Sequence, residues 1–493
     1  MSSKLGKSLA LFTSAGFIGT LTQVVKGKLM AVLLGPTGVG IYSQLTSLFN
    51  LLFNLGSLGF RNGIIKRISV SIEDEDEVAY KAQYTSVLIF LSILSIIFIA
   101  VLTLFTTQIS QYLFNDNGAN SDLVLVTLLA VPFSILANFY RSMMSGHTAV
   151  KQIVISQVLA DVISLVPFIA FIYNGQLMGA VISFVVYQFL KVLFYSIYFY
   201  KISHFRFSKF PILIYFNWLE IKHNLKFGIS GLVLTTLNIC ITIYTASFII
   251  QALGEAEYGL YAIAIRVATL YLGAIYANAS SHYFPLLVKT KSVDELRITV
   301  MNTGRFYLYI LPPLMAVMMF GGELFITILF SAEFSLSATL LLLIIPGDFF
   351  RINAETIALP LLAKEKFIAY KSSYAIWAVT FLLLIHLVGS EYGIIGIAIA
   401  YCISQIISFL AAVSLSWFIL KVTMDTSYLV ALCLGGSLIT CTALSLLFTS
   451  SLIITLSSAL LILAIWFVIS LIQPEFKQLA NRTILKLKRE KNV

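Results

Sequence analysis

The 493-residue sequence is 59% hydrophobic and 11% charged, with mean hydropathy +0.95, which excludes a set of water-soluble domains and places most of the chain in lipid. Thirty-two Lys+Arg against 22 Asp+Glu give a net charge of +10, but these charges fall in short gaps between long apolar runs. That pattern describes membrane topology and excludes nucleic acid as a partner. Cys240, Cys402, Cys433 and Cys441 lie inside apolar runs without metal-ligand spacing, so no disulfide framework, metal site or cofactor is expected.

A membrane-spanning helix needs about 20 mostly apolar residues. Fourteen runs qualify, at 8–33, 40–60, 82–106, 123–140, 153–173, 177–200, 227–252, 258–284, 306–328, 338–361, 372–388, 393–418, 428–449 and 452–472. The first is too long for a cleaved signal peptide. An even count puts both termini on one side. Of the 32 Lys+Arg, 27 fall on that side and none on the other; Lys26, Lys28, Lys191, Arg266 and Arg351 lie within spans. The positive-inside rule therefore makes both termini cytoplasmic. The longest loop on the opposite side, 107–121, is too short for an external catalytic domain. The acidic run Glu73 to Glu77 faces the cytoplasm beside Lys66, Arg67 and Lys81 and reads as a solvated, charge-balanced loop.

The chain repeats itself. Leu34 to Tyr42 (LGPTGVGIY) matches Leu253 to Tyr261 (LGEAEYGLY) at an offset of 219, and Leu177 to Ala180 (LMGA) matches Ile394 to Ile397 (IIGI) at 217. Two matched turns at nearly one offset predict an all-α polytopic membrane protein of fourteen transmembrane helices. Two six-helix lobes, 1–200 and 227–420, would flank a central cleft and be joined by a basic cytoplasmic linker, 201–226. Residues 421–493 would carry two further helices and a basic tail. Six is even, so the lobes enter the membrane in the same sense and relate by an axis along its normal, as in rocking transporters.

Polar residues at helical spacing mark one face of several spans. Ser43, Ser47, Asn50, Asn54, Ser57 and Arg61 form such a seam on the second span, and Thr13, Gly16, Thr20, Gln23 and Gly27 on the first. Gly231, Thr235, Asn238, Thr242 and Thr245, then Arg266, Thr269, Gly273, Tyr276 and Ser280, repeat the pattern in the second half. Close helix packing through small and hydroxyl residues is the other reading of such seams. Ionisable residues inside a span cost roughly 2.5–3.5 kcal/mol each on insertion scales, so each needs a partner or a wet cavity. Asp348, Arg351 and Glu355 are spaced for a mutual ion-pair ladder, and Asp161 can neutralise Lys191. That leaves Lys26, Lys28 and Arg266, with Lys28 also able to snorkel to the interface. Lys26 and Arg266 fall roughly 10–12 Å below the outer boundary at 1.5 Å per residue. A cleft with excess cations suits an anion, and the amide seams and 24 tyrosines suit sugar hydroxyls, although Tyr also forms interfacial belts.

Val24 to Gln44 (VVKGKLMAVLLGPTGVGIYSQ) and Asn54 to Lys66 (NLGSLGFRNGIIK) resemble the multidrug/oligosaccharidyl-lipid/polysaccharide exporter superfamily, in particular its lipid-linked oligosaccharide flippases of the O-antigen and enterobacterial common antigen (Wzx) type. The resemblance covers about 8–418 and implies a MATE-like, V-shaped, two-lobed bundle in the bacterial inner membrane. It implies a flippase, not an enzyme, that moves an undecaprenyl-pyrophosphate-linked oligosaccharide to the periplasmic leaflet by alternating access. Substrate contacts are then expected at Lys26 and Arg266, with Lys28, Arg61, Arg351, Gln23, Asn50, Asn54, Asn238 and Thr269 as further candidates. The lipid bilayer and the polysaccharide polymerase and chain-length machinery are the expected partners of a monomer. The extra pair of spans resembles the fourteen-helix lipid II flippases, which keeps that substrate open. Cation-coupled drug export would need a carboxylate such as Asp161. A membrane glycosyltransferase or polymerase would need paired outer acids, where only the scattered Asp116, Glu255, Glu333 and Glu391 occur.

Overall fold

A computed structural model describes residues 2–116, 118–203, 212–278 and 283–448, with 464, 466 and 467; the side chains of 2–15, 17, 212, 213, 227, 229–231, 234 and 270–278 are not described. The sequence candidates Thr13, Gly231, Gly273, Tyr276 and Ser280 therefore lie outside the described side chains, and the span at 452–472 lies almost wholly outside the described residues.

The described chain is helical and separates into two compact units, Met1–Gly259 with Leu329–Ser331, and Leu260–Ile328 with Ala332–Val493. The first unit contains α1 (Ser2–Ser57), α2 (Arg61–Glu73), α3 (Glu77–Thr103), α4 (Thr106–Phe114), α5 (Ser121–Gly146), α6 (Val150–Ile163), α7 (Leu165–Ile202), α8 (Trp218–Leu253) and the first residues of α9 (Glu255–Asn278). The rest of α9, then α10 (Phe284–Lys289), α11 (Val293–Phe320), α12 (Gly322–Leu329), α13 (Ser335–Ala363), α14 (Phe367–Leu384), α15 (Ser390–Leu420) and α16 (Thr426–Phe448) build the second, apart from Leu329. Among the described residues, nine helices are long and apolar enough to cross a membrane. In hydrocarbon each backbone N–H and C=O must be satisfied within its own segment, which makes the helix the economical solution for such runs.

Three of the nine, Ile18–Ser57, Val150–Ile202 and Phe367–Leu420, run for 40, 53 and 54 residues, far beyond the ~20 that one crossing needs. Each contains a residue with non-helical backbone: Gly35 (φ 62°), Gln176 (φ 46°) and Gly393 (φ 59°). The breaks obey the repeat. Gly35 and Gly254 (φ 101°) stand at the offset of 219, and Gln176 and Gly393 at that of 217. Three residues after each break of the second pair, a glycine packs on the carbonyl eight positions earlier, Gly179 on Phe171 and Gly396 on Val388.

The first pair of turns also meets itself. A methyl on Gly40 would overlap the Glu255 carbonyl, and a methyl on Gly259 would overlap the Pro36 carbonyl. Glu255 is the repeat counterpart of Pro36, and Gly259 of Gly40. A contact in which i touches j′ while i′ touches j is the mark of local two-fold symmetry. Here one chain supplies both halves, with small residues letting the backbones approach.

Two expected loops contain helices. Within the 61–81 connection lies α2, and the loop 107–121 includes α4; both are too short for a scan that looks for spans. The acidic run is the exposed turn from the end of α2 at Glu73 to the start of α3 at Glu77. Asp76 accepts from the Ala79 N–H at 2.9 Å, and Glu77 pairs with Lys81 at 2.6 Å.

The helix α16 is part of the second unit's core. The Tyr428 side chain is fully buried, its ring lies against Gly304, and its hydroxyl donates to Asn353 Oδ1 at 2.9 Å. Asp425 pairs with Arg305 at 3.8 Å, and Gly435 faces Pro312 and Phe349. Tyr428→Ala is expected to destabilise the protein by about 3 kcal/mol through the cavity and the stranded amide, and Tyr428→Phe by about 1 kcal/mol. Thermal unfolding in detergent should rank the two in that order.

Candidate functional site

The first unit holds a polar assembly where α1, α6 and α7 meet. Lys26 is 8% exposed. Its Nζ donates to Ser164 Oγ at 2.8 Å and lies 4.6 Å from the Tyr187 ring centroid and 5.6 Å from that of Phe168. Ser164, at the junction of α6 and α7, donates in turn to the Asp161 carbonyl at 2.8 Å. The Asp161 carboxylate is 3% exposed and accepts from Gln157 Nε2 at 3.0 Å and from the Tyr187 hydroxyl at 2.8 Å. Room for it comes from Gly19 on α1, where a Cβ would sit 3.2 Å from Asp161 Oδ2. Tyr195 donates to Gln157 Oε1 at 2.6 Å, and Lys191 donates to Gln188 Oε1 at 3.0 Å while lying 5.2 Å from the same Tyr187 ring.

This arrangement differs from the expectation that Asp161 serves Lys191 and leaves Lys26 alone. The carboxylate acts electrostatically on both lysines, and Lys26 is tied to its backbone through Ser164. Close packing of α1 on α6 brings the two charges together, which adjacency in the chain did not indicate. Two ammonium groups share one carboxylate, and Arg141 adds its field at Lys191, so positive charge predominates. Such a group in an apolar span is costly unless every member is hydrogen-bonded, which explains the ring of Ser, Gln and Tyr.

On the second half of α1 the seam residue Asn54, and Gln44 beside the seam, reach α8. Asn54 Nδ2 donates to Thr236 Oγ1 at 2.9 Å, and Gln44 Nε2 donates to Ser247 Oγ at 2.9 Å and to the Ile243 carbonyl at 3.4 Å. These amides join two helices. Asn50 and Gln23 are exposed, Lys28 and Asn238 are half-buried, and Arg61 is exposed at the start of α2, where it feels the like charge of Arg141.

In the second unit, Asp348 is buried and accepts from the Tyr401 hydroxyl at 2.6 Å. Arg351 Nε pairs with Glu355 Oε1 at 3.4 Å. The Arg351–Glu355 rung of the ladder expected on α13 is formed, and Asp348 also bonds a tyrosine from α15. Arg266 is half-buried and engaged by its surroundings; its carbonyl accepts from Thr269, which is exposed.

At the far end of the first unit, Asp116 accepts from Ser110 at 2.9 Å, from the Gly118 N–H at 2.9 Å and from the Asn120 N–H at 2.8 Å. Burial works against its charge, yet these donors hold its carboxyl below the ordinary range. Burial, followed by the Asp116 charge, pushes the Glu255 carboxyl up. Asp116 is committed to its turn and is no catalytic acid.

Sequence reasoning passed over Ser164, Gln157, Tyr187, Tyr195 and Tyr401. Gln157, Asp161 and Ser164 are spaced 4 and 3, a polar stripe on one helix face that the periodicity could have revealed. Nothing local identifies the tyrosines, whose partners lie on other helices.

Comparison with known proteins bears on what this assembly serves. The sequence profile of the family described as polysaccharide biosynthesis protein matches residues 5–291. The lipid III flippase of Escherichia coli (strain K12) is 21% identical over 408 residues, covering 81% of this chain and 95% of that protein. A Shigella flexneri protein assigned provisionally as an O-antigen transporter is 23% identical over 407 residues, covering 81% and 94%. Among solved structures, the lipid II flippase MurJ in an inward closed conformation superposes with TM-score 0.70 at 15% identity, covering 97% of this chain and 100% of that one. An inward-facing MATE-family multidrug resistance transporter gives 0.66 at 16% identity, covering 88% and 96%.

Proposed function

This chain belongs to the polysaccharide biosynthesis protein family, and from that premise we propose that it is a flippase for an undecaprenyl-pyrophosphate-linked oligosaccharide, such as an O-antigen unit. The observation that carries the reading is the polar assembly of the first unit, in which Lys26 and Lys191 outnumber Asp161 within an apolar bundle. A buried cation excess is a home for a phosphate anion and a poor one for a cationic drug. Lys26 and Arg266 are the primary phosphate contacts, with Lys28, Arg61 and Arg351 secondary. Gln23, Asn50, Asn238 and Thr269 are polar contacts for the glycan. Asn54, already bonded to Thr236, would have to exchange that partner to join them. Alternating access carries the headgroup while the polyprenyl tail stays in lipid. With both termini cytoplasmic, outward movement of the anion gains ~2.3 kcal/mol per charge per 100 mV of inside-negative potential. A monomer in the bacterial inner membrane would hand its cargo to the polymerase and chain-length machinery.

Lys26→Ala and Arg266→Ala should each lower surface-glycan output in a complemented deletion strain by about tenfold or more, the worth of one charge-assisted contact of about 1.5 kcal/mol or more. Protein level is measured in parallel. Full output from both variants would sink the proposal. Lipid II is the second substrate to test, because α16, which lies beyond twelve spans, is built into the second unit by Tyr428. Depletion of the protein should make one lipid-linked sugar accumulate, and its chemistry decides between the two.

A further inference from the structure

The first turns of α8 have two unlike faces. Glu220, Ile221 and Asn224 are buried. Glu220 receives a fork from Arg67, Nε to Oε2 at 2.9 Å and a second nitrogen to Oε1 at 2.6 Å; this bond holds the Arg67 guanidinium above its ordinary value. Asn224 and Gln83 exchange amide hydrogen bonds at 3.1 and 3.3 Å. The segment is therefore pinned to α2 and α3. Its other face carries Trp218 (49% exposed), Leu219 (59%), Lys222, His223 and Lys226, preceded by Ile214 (75%) and Phe216 (42%). Among the described residues no acidic side chain pairs with Lys222 or Lys226.

The helix α3 serves as a depth gauge. Its first ten residues, EVAYKAQYTS, are mixed, and from Val87 onward the helix carries no charge and is an apolar run apart from Ser92, Ser95 and Thr103. The Asn217 N–H donates to Ser86 Oγ at 2.7 Å, and the Trp218 ring meets Phe90 edge-on at 5.8 Å. Asn217 and Trp218 thus lie within the first turn of that run, about 14–20 Å from the start of α3 at 1.5 Å per residue. Aromatic and apolar side chains at the hydrocarbon edge, with lysines beside them, match the chemistry of an interfacial segment facing anionic lipid.

We propose that this face of α8 is a docking surface for anionic phospholipids of the cytoplasmic leaflet. Lys222 and Lys226, flanking His223, take the headgroup phosphates, and Ile214, Phe216, Trp218 and Leu219 seat in the upper acyl region. The choice of leaflet rests on the proposed orientation; the lipid preference rests on the exposed face. Each lysine near an anionic surface contributes about fivefold in affinity.

The test uses the full chain. In the variant W377F/W417F/W466F, Trp218 is the sole tryptophan; it is reconstituted in vesicles carrying brominated acyl chains on either phosphatidylglycerol or phosphatidylcholine. Brominated phosphatidylglycerol should quench Trp218 about twofold more, and the difference should vanish in K222Q/K226Q and at high salt. Equal quenching by both lipids, or none, overturns the proposal. Native mass spectrometry of the otherwise unaltered chain gives a second measure: K222Q/K226Q should retain fewer phosphatidylglycerol molecules, and unchanged retention counts against it. His223→Cys in a chain lacking its native cysteines separates the premise. Labelling by an impermeant maleimide only after permeabilisation supports the cytoplasmic side. Labelling of intact cells refutes the leaflet even where the lipid preference holds.

Discussion

Gly40→Ala and Gly259→Ala are each expected to destabilise the folded protein by about 3 kcal/mol, the upper end of what an overpacked site costs. The atoms that an added methyl would meet are main-chain carbonyls, Glu255 for one and Pro36 for the other. A long side chain could swing aside, but a helix backbone moves only with its helix. Because both substitutions open the same crossing, the second should cost less once the first is present, and the double variant should fall short of the sum. Gly175→Ala, whose Cβ would meet nothing within 4 Å, serves as the control and should lie within about 0.5 kcal/mol of the parent. Thermal unfolding in detergent measures all four chains. Parent-like midpoints for Gly40→Ala and Gly259→Ala would mean that the reciprocal crossing does not exist.

The second large effect is expected at Asp161. Its removal by Asp161→Ala takes away the carboxylate whose field reaches the buried Lys26 and leaves Gln157 and Tyr187 without their acceptor, a loss of roughly 3 kcal/mol for stranded buried donors. Adding Lys26→Met to that chain should restore part of the stability, since an uncompensated charge is worse than none. The recovery is partial because Lys191 also feels Asp161. Transport should stay low in the double variant, as the candidate phosphate contact is gone. Stability and transport thereby separate. If Lys26→Met fails to rescue the fold of Asp161→Ala, the two charges are not coupled.

Particular residues show what could be read in advance. The motif LGPTGVGIY and its copy 219 residues later located two turns whose glycines, Gly35 and Gly254, have positive φ. LMGA and IIGI likewise located the turns at Gln176 and Gly393. Turn glycines and apolar runs are local features, and lipid turns an apolar run into a helix without help from its neighbours. The partners of the charges were less legible. Lys26 lacked a partner in the sequence because Ser164 and Asp161 lie 138 and 135 positions away. The seam amide Asn54 reads as cavity lining in the sequence, whereas in the fold α8 supplies its partner Thr236.

By itself the sequence determined that this is a multi-span helical membrane protein, where its turns fall, and that its halves repeat, since hydropathy, turn chemistry and periodicity act over a few residues. Only the tertiary structure decided which charges share a neighbourhood, which polar seams serve packing, and which face of the α8 entry is left exposed. Those outcomes depend on helices distant in the chain coming within hydrogen-bond reach. In a medium without water, a polar group's role is set by the neighbour that satisfies it.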